Sequence, residues 1–427
     1  MAQTGDPGRV TNELNRVDAD PTRFPPVGLP ELIHLAELAE DLLERARNVA
    51  LEPSRVKELR RWNAAEVAAL LGLSDDTFRR RLRKGPELPQ GETINGRRLF
   101  TLEDIHKLQT ALELRPRRDP KTDKPIVLAM CNFKGGVAKT TSSVHLAQYL
   151  CLHGYRVLLI DLDAQASLTQ LFGILPHTEV PEEQTALPYF EGPKLGAEQW
   201  TGTLKSAIRK THWHDLDLLC SNLAFYGAEF SIASRLVNES EFRFYNVLAQ
   251  GLDTVKNDYD VVIIDTAPSL SFVNSNALFA VDSVVISMPP AMMDLQSAGL
   301  LFRWLVELVS LFNRVEAQQK VYDFLAILMT RMKANDEVHQ TISNWIRTRF
   351  PQFTITAPML ETAVLQKIGP DILTAYEVRT YEGDTRTFAR AMQAMNQVNA
   401  ELEGAIQNVW HRARQAALAA TPARATG

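Results

Sequence analysis

The chain has 427 residues, of which 45% are apolar and 23% are charged, and its formal net charge is −5. Since this length exceeds what one hydrophobic core usually organises, we expect roughly two or three domains. No stretch approaches the roughly 18 apolar residues of a membrane span. The three cysteines lack CxxC spacing and the first residues do not resemble a signal peptide, so we expect a cytoplasmic protein without a membrane segment.

Two segments precede the first predicted domain. Residues 1–28 are rich in Pro, Gly, Asp and Thr, which predicts a flexible leader. Residues 29–54 are predicted to form a helix with one apolar stripe, and Pro30 suits its first turn. This stripe indicates packing either on its own domain or against a second copy in a homodimer. It consists of Leu32, Leu35, Ala36, Ala39, Leu42, Leu43 and Ala46.

Residues 55–114 are predicted to form a DNA-binding domain. Over residues 55–118 the chain has 15 Lys or Arg against 9 Asp or Glu, although the whole protein is acidic. Asn63 and Glu66 have capping-box spacing before a first helix, and Ser74 can cap a second helix soon afterwards. Two capped helices this close together have the spacing of a helix-turn-helix motif.

The Asn95-Gly96 pair that follows is typical of a tight β-hairpin, and Thr101 opens a further helix. The segment resembles a winged helix of the MerR type. The second helix would then lie near the major groove and the hairpin near a phosphate backbone or minor groove. A solvated arginine face and a protein-contact domain are the alternatives. The candidate DNA-binding residues are Arg79, Arg80, Arg83, Lys84, Arg97 and Arg98.

A second predicted domain follows a linker. Residues 115–124 combine prolines with charges, which indicates the linker, and residues 125–417 form the domain, before a flexible tail at 418–427. Short apolar runs without alternation are typical of strands buried on both faces, and amphipathic segments alternate with them. This pattern predicts an α/β fold with a doubly wound, mostly parallel sheet that binds ligands at the carboxyl edge of its strands. The predicted strands are 126–131, 157–160, 261–264, 284–287 and 324–329.

The first of these strands runs directly into a glycine-containing loop and a helix. In this context the backbone amides and the helix N-terminus form an anion cradle, Lys139 supplies charge to nucleotide phosphates, and Thr140 can ligate magnesium. Compared with G-x-x-x-x-G-K-[ST], Phe133 and Ala138 replace the two glycines. The predicted nucleotide-binding residues are Lys134, Gly135, Gly136, Val137, Ala138, Lys139, Thr140 and Thr141.

Three carboxylates follow two other predicted strands. Asp161 and Asp163 come at the end of one strand, and Asp265 comes at the end of another. Buried carboxylates are costly unless they are paired, hydrogen-bonded or near a cation, and a magnesium–phosphate centre meets that condition. A helix N-cap would explain one such residue but not three in one domain. We therefore expect all three to face the loop.

These motifs and their order resemble the ParA family of partition ATPases, which have a deviant Walker A loop. The resemblance covers roughly residues 125–400 and rests on N-F-K-G-G-V-A-K-T-T, D-L-D-A-Q and I-D-T-A-P-S. It implies ATP and Mg²⁺ as cofactors and a dimer in which Lys134 reaches the nucleotide of the other subunit. It also implies that Asp163 positions the attacking water, that Asp161 supports Mg²⁺ through water, and that Asp265 is the Walker B carboxylate.

The sequence departs from the family pattern at two positions. Ala138 stands where the family usually has glycine and Ala164 where it usually has proline, so a shifted backbone and slow turnover are expected. Neither change removes a charged group from the chemistry. Arg331 follows the last predicted strand, where related ATPases contact the nucleotide base; an exposed arginine without a ligand is the alternative interpretation.

The resemblance implies partition of DNA in the cytoplasm, in association with the nucleoid. The ATP-bound dimer would bind DNA non-specifically, a centromere-binding partition protein would stimulate hydrolysis, and the N-terminal domain would repress its own operon. A nucleotide-sensing transcriptional repressor is the alternative. The spacing of the cysteines excludes an iron–sulfur role, and the C-terminal end is too weakly apolar for a membrane-bound ATPase. Candidates for the non-specific DNA surface, or simply scattered solvated charges, are Lys367, Arg379, Arg386, Arg390, Arg412 and Arg414.

Overall fold

The computed structural model describes residues 28–51, 57–115, 117–192, 203–361, 373–379 and 383–420. The predicted leader, apart from Gly28, lies outside the described residues, as do Lys367 and residues 421–427 of the predicted tail. The chain divides into two compact units, Met1–Val49 and Ala50–Gly427.

The described part of the first unit is a single helix. Helix α1 spans Leu29–Leu51, within the 29–54 segment predicted to be helical. Leucine side chains of the predicted apolar stripe are exposed in this chain, among them Leu32, Leu35 and Leu42. A row of apolar side chains in water favours any contact that removes it from water.

The N-terminal part of the second unit combines three helices with an antiparallel sheet in the order β1-β3-β2. Its elements are β1 (Trp62–Asn63), α2 (Ala64–Leu70), α3 (Asp75–Lys84), β2 (Glu92–Ile94), β3 (Arg97–Phe100) and α4 (Leu102–Ala111). Asn63 and Glu66 form a capping box on α2, and Ser74 caps α3. Asn95 and Gly96 have φ angles of 50° and 73°, which a two-residue turn between β2 and β3 requires.

This N-terminal part packs directly on the α/β part of the same unit. Trp62 is buried and contacts Trp213 edge-on, with ring centroids 6.5 Å apart. Lys57 forms a 2.7 Å ion pair with Glu377, and the two side chains are only 4% and 1% exposed. The buried aromatic residues of the N-terminal part therefore belong to one hydrophobic core together with residues of the large sheet.

The segment 115–124, predicted to be a linker, connects the two parts but is held against the second one. Arg118 is 3% exposed, and its guanidinium contacts the buried carboxylate of Asp260. Asp123 is likewise buried and pairs with Arg414. The prolines and charges predicted a linker, because composition does not reveal partners that are distant in sequence. Charged side chains that are paired can nevertheless be buried.

The α/β part contains a seven-stranded sheet among the described residues. Its strands are β4 (Ile126–Cys131), β5 (Val157–Leu162), β6 (Ile208–Lys210), β7 (Leu216–Leu219), β8 (Val261–Thr266), β9 (Ser283–Met288) and β10 (Phe324–Met329). The order is β10-β9-β4-β8-β5-β7-β6, and all neighbours are parallel except the edge pair β6 and β7. All five predicted strands are present, which confirms a mostly parallel α/β fold.

Helices cover both faces of this sheet. They are α5 (Lys139–Leu152), α6 (Ser167–Leu171), α7 (Pro176–Glu179), α8 (Leu187–Glu191), α9 (Leu204–Ala207), α10 (Gly227–Asn238), α11 (Val247–Asp253), α12 (Phe272–Ala280), α13 (Met292–Val315), α14 (Glu337–Arg349) and α15 (Thr385–Ala420). Helices α5 and α15 share one core with alternate strand residues, and α11, α12 and α13 share the other. Helix α15 continues to Ala420, so residues 418–420 of the predicted flexible tail are helical.

One helix bears on the expectation of no membrane span. Helix α13 is long and apolar enough to cross a bilayer by length and composition alone. Leu301, Leu305 and Phe312 on one side of it are buried against the sheet, whereas Leu300 and Val306 are exposed. Because a core helix of an α/β fold passes the same test, α13 is weak support for a membrane span.

Candidate functional site

The predicted nucleotide loop lies between β4 and α5, at the carboxyl edge of the sheet. Residues 132–138 leave β4, and α5 begins at Lys139. Gly136 and Ala138 both have left-handed backbones, with φ angles of 73° and 65°. This conformation is open to glycine but costs an L-residue roughly 1–2 kcal/mol. Ala138 therefore holds a conformation that suits the glycine of related loops, at the expense of strain.

Two residues that follow β10 bind the backbone of this loop. Thr330 donates its hydroxyl to the Val137 carbonyl at 2.9 Å, and Arg331 donates to the Gly136 carbonyl at 2.9 Å. Glu361 holds the other side of the Arg331 guanidinium at 2.8 Å. In a planar peptide the N–H points away from the carbonyl, so these contacts turn the Val137 and Ala138 amides away from the end of β10.

Arg331 was assigned either to a nucleotide base or to bulk solvent from the sequence. In the structure its side chain contacts the loop at Gly136, and the contact with a nucleotide base stays a prediction. Sequence reasoning missed Glu361, since only the fold brings it to Arg331 and the loop.

Lys139 is buried beneath the loop. Its ammonium donates to the Lys134 carbonyl at 3.2 Å. Burial lowers the pKa of Lys139, although the negative charge of Asp265 acts in the opposite direction. Since an ammonium has three donors and the described residues accept only one of these hydrogen bonds, Lys139 can serve an additional anion.

Asp161 and Asp265 lie side by side as register partners on β5 and β8. Asp265 accepts hydrogen bonds from the Thr140 hydroxyl at 2.6 Å and the Ser143 hydroxyl at 3.1 Å. Asp161 accepts from the hydroxyl and the amide of Thr169, at 2.8 and 3.0 Å. Burial raises the pKa of Asp265 to about 6, and burial together with the charge of Asp265 raises the pKa of Asp161 to about 8.

The three predicted carboxylates do not all face the loop. Asp265 does, through Thr140. Asp161 faces Thr169 on α6 instead, one step removed from the loop. Asp163 is partly exposed and accepts from the Gln165 amide at 3.0 Å. Burial lowers the pKa of Lys139 and the negative charge of Asp163 opposes this effect, so the two residues lie at the same edge of the sheet.

Lys134 forms an ion pair with a residue that sequence reasoning missed. Its ammonium lies 2.8 Å from a carboxylate oxygen of Asp294 in the first turn of α13. The Lys134 side chain is 41% exposed, whereas that of Asp294 is 8% exposed. The available signal was the position of Asp294 shortly after β9, at the same edge of the sheet as the other carboxylates.

The predicted DNA-binding residues occupy two different positions. One set surrounds a groove of about 810 Å³ between α3 and the β2–β3 hairpin, which Asn63 and Thr93 also line. The other set is exposed on α3 but does not line this groove, and consists of Arg80 and Lys84. The residues around the groove are Arg79, Arg83, Arg97 and Arg98.

Three of the basic residues considered for a non-specific DNA surface bind within the chain. Arg412 donates to the Asp323 carbonyl at 2.9 Å, and Arg414 pairs with Asp123. Arg379 lies 3.7 Å from Glu58. Arg386 and Arg390 are exposed.

Comparison with known proteins gives consistent matches. A family model described as an AAA domain matches residues 126–320. A putative replication protein A from Rhizobium rhizogenes is 31% identical, over 90% of this chain and 96% of that protein. A solved partition protein has a TM-score of 0.62 at 19% identity, over 89% of this chain and 98% of that chain. A cobyrinic acid a,c-diamide synthase from Mycobacterium smegmatis, solved with an ATP analogue and magnesium, has a TM-score of 0.50 at 23% identity, over 65% of this chain and 94% of its own.

Proposed function

Because the chain belongs to the ParA family of partition ATPases, we propose that it hydrolyses ATP during the segregation of plasmid or chromosomal DNA. One observation carries the proposal. The Thr140 hydroxyl contacts the buried Asp265 carboxylate at 2.6 Å, directly after a loop that ends in the buried Lys139. A hydroxyl and a carboxylate at the foot of an amide-lined loop can bind a magnesium nucleotide.

The residues of the site suit Mg²⁺ and ATP. Asp161 and Asp265 are buried next to each other, and the described residues give neither carboxylate a cation within ion-pair distance. A divalent cation would offset the repulsion between these two carboxylates. Thr140 and Asp265 would bind it directly, and Asp161 would act through water. When bound, Mg²⁺ neutralises charge on the β and γ phosphates of ATP.

In our proposal the triphosphate lies along residues 134–141. The loop amides and the N-terminus of α5 would receive the phosphates, and Lys139 would donate to them. Thr330 and Arg331 would hold the loop backbone through their bonds to it, and Arg331 remains a candidate contact of the nucleotide base. The proposed role of Asp163 is to orient the attacking water, because it is partly exposed whereas Asp161 and Asp265 are buried.

We further propose that the active form is a homodimer. In the single chain the Lys134 ammonium pairs with Asp294 of the same chain. It is therefore not directed at the phosphate position of its own loop. In a dimer Lys134 would leave Asp294 and neutralise phosphate charge of the nucleotide in the partner subunit. Hydrolysis would then depend on dimerisation.

The N-terminal part is proposed to act as a winged helix-turn-helix that binds operator DNA. Four arginines around one groove, two from α3 and two from the hairpin, support this role. The ATP-bound dimer would bind DNA non-specifically as well, with Arg386 and Arg390 as the remaining exposed candidates. A centromere-binding partition protein would stimulate hydrolysis, and the protein would operate on the nucleoid in the cytoplasm.

Three substitutions test the proposed chemistry. Lys139→Ala should lose nucleotide binding, whereas Asp163→Ala should bind ATP and dimerise but hydrolyse it roughly 100-fold more slowly. Lys134→Ala should bind ATP as a monomer. Nucleotide binding by fluorescence, dimerisation by sedimentation and phosphate release measure these effects. Lys107→Ala, which changes an exposed lysine on α4, is the control. Normal hydrolysis by Asp163→Ala would show that another group positions the water.

A second candidate function is favoured by the arginine-lined groove. A nucleotide-sensing repressor would use the same groove but would not partition DNA. Lys139→Ala separates the two functions in a cell that carries both a plasmid-loss assay and an operon reporter. Increased plasmid loss supports partition, whereas altered transcription with normal plasmid inheritance supports the sensor.

A further inference from the structure

A cluster of three metal-binding side chains lies away from the nucleotide loop. His106 belongs to α4, whereas His214 and Asp215 belong to the turn before β7. The Nδ1 atoms of the two histidines are 2.8 Å apart, and each lies 3.3 Å from one carboxylate oxygen of Asp215. The cluster therefore joins the N-terminal part to the α/β part, and the proposed ATP hydrolysis does not use it.

We propose that His106, His214 and Asp215 bind a divalent transition-metal ion, for which Zn²⁺ is the best match. Zinc bonds of about 2.0–2.2 Å in a tetrahedral arrangement put neighbouring ligand atoms roughly 3.3 Å apart. The two distances from the histidine nitrogens to the Asp215 oxygen, 3.3 Å each, match that value. The two Nδ1 atoms, 2.8 Å apart and sharing a hydrogen bond, would separate by about 0.5 Å when the ion enters. Two imidazoles and one carboxylate are a common zinc ligand set, and water would occupy the fourth position.

The surrounding contacts prepare these side chains for a metal. His106 is buried, and its Nε2 lies 2.8 Å from the Cys151 carbonyl, which can only accept a hydrogen bond. The Nε2 atom therefore carries the proton, and the lone pair of Nδ1 points into the cluster. Arg115 fixes Asp215 through a 2.6 Å ion pair. Partners of this kind orient the ligands of metal sites.

Without a metal, one proton joins the two histidines. His214 Nδ1 donates it to the lone pair of His106 Nδ1, while the Asp215 oxygen accepts from Arg115. His214 is 44% exposed. Its proton can move to Nε2 in contact with water, so that its Nδ1 becomes a third ligand and metal entry displaces no buried proton. The same exposure gives the ion a path to the site.

The positive charge of Arg115 limits the affinity of the site for a metal ion. A guanidinium bound to the same carboxylate repels a dication, and only three protein ligands are present. We therefore expect weaker binding than in a four-ligand structural zinc site. Bound zinc would link α4 to the turn before β7 and so stabilise the packing of the two parts.

Titration of the full chain with Zn²⁺ tests the site, with excess Mg²⁺ present to occupy other carboxylates. Calorimetry should find one zinc ion per chain, and zinc should raise the melting temperature reversibly on addition of a chelator. His214→Ala changes a half-exposed side chain and should weaken zinc affinity by at least about tenfold. Asp215→Asn, which can still accept from Arg115, should weaken it as well.

His411→Ala is the matched control, because His411 is an exposed histidine on α15 that is not part of the cluster. It should bind zinc as the wild type does. Absence of stoichiometric zinc binding by the wild type overturns the proposal. Unchanged zinc affinity in both His214→Ala and Asp215→Asn also overturns it, because the ion would then lie elsewhere.

Discussion

Ala138 stores backbone strain at the start of α5, where its φ of 65° would suit glycine. Ala138→Gly should therefore raise the free energy of unfolding by roughly 0.5–1 kcal/mol, after the greater chain entropy of glycine is subtracted. Urea denaturation measures the change. Ala147→Gly, inside α5, is the control and should lower the free energy by more than about 1 kcal/mol, because its buried methyl group is lost as well. A loss of stability in both variants would mean that Ala138 is not strained.

The ion pair between Lys134 and Asp294 also has a consequence that can be measured at single residues. Asp294→Asn removes the charge that holds Lys134 in its own chain, so the ATP-bound dimer should form at a lower protein concentration. Sedimentation velocity with a non-hydrolysable ATP analogue gives the dissociation constant. The same substitution should have no effect in a Lys134→Ala background. An equal effect there would show that Asp294 does not act through Lys134.

At the scale of elements, α3 and the β2–β3 hairpin each provide arginines to one groove. Arg83→Ala on the helix and Arg97→Ala on the hairpin should each weaken operator binding by about 1–3 kcal/mol if the side chain contacts a base. Substitution of a residue that contacts phosphate should instead reduce the salt dependence of DNA binding by about one counterion. Fluorescence anisotropy over a salt series distinguishes these outcomes.

Arg81→Ala is the matched control for the groove. Arg81 is an exposed arginine of α3 that does not line it. Its loss should change operator binding less than that of Arg83 or Arg97. Equal losses from all three substitutions would indicate a diffuse charge effect rather than a defined binding groove.

Local signals predicted most elements, and long-range pairing explains the misses. Strand β8 was predictable because its residues before Asp265 are continuously apolar, and the hairpin was predictable from Asn95-Gly96. Strand β7 was missed because Asp217 interrupts its apolar run. The structure buries that carboxylate beside Tyr259 and Lys210, neither of which is a sequence neighbour within the strand.

At the scale of the whole molecule, the buried pair of Lys57 and Glu377 joins the N-terminal part to the α/β part. Burial alone would raise the pKa of Glu377, but the hydrogen bond from His212 and the charge of Lys57 lower it to about 2, below its ordinary value of 4.5. Ionised Glu377 therefore stabilises the fold above about pH 4.5, and this contribution is lost as the pH falls towards about 2.

Glu377→Gln should lower the free energy of unfolding by roughly 3 kcal/mol at neutral pH, because Lys57 is left buried without its counter-charge. The difference from the wild type should shrink as the pH falls below about 4.5, which urea denaturation at several pH values measures. The double variant Lys57→Met/Glu377→Met should be more stable than Glu377→Gln alone. A pH-independent difference would contradict the assigned ionisation.

The candidate site was predictable only where a local sequence pattern marks its residues. The residues from Lys134 to Thr141 form one continuous motif of loop and helix start, and Asp265 follows an apolar strand, so local patterns were sufficient. Asp294 and Glu361 come from segments more than a hundred residues away. Their contacts depend on how the chain returns to the sheet edge, and neither composition nor periodicity contains that information.

One hydrophobic core runs from Phe78 and Phe100 into the large sheet. A protease cut within residues 112–125 would not release two working proteins, since each fragment would present aromatic side chains to water. The N-terminal part and the α/β part should therefore unfold together as one cooperative unit. A different N-terminal part could replace this one only if its side chains also fitted the partners of Trp62 and Lys57 in the α/β part.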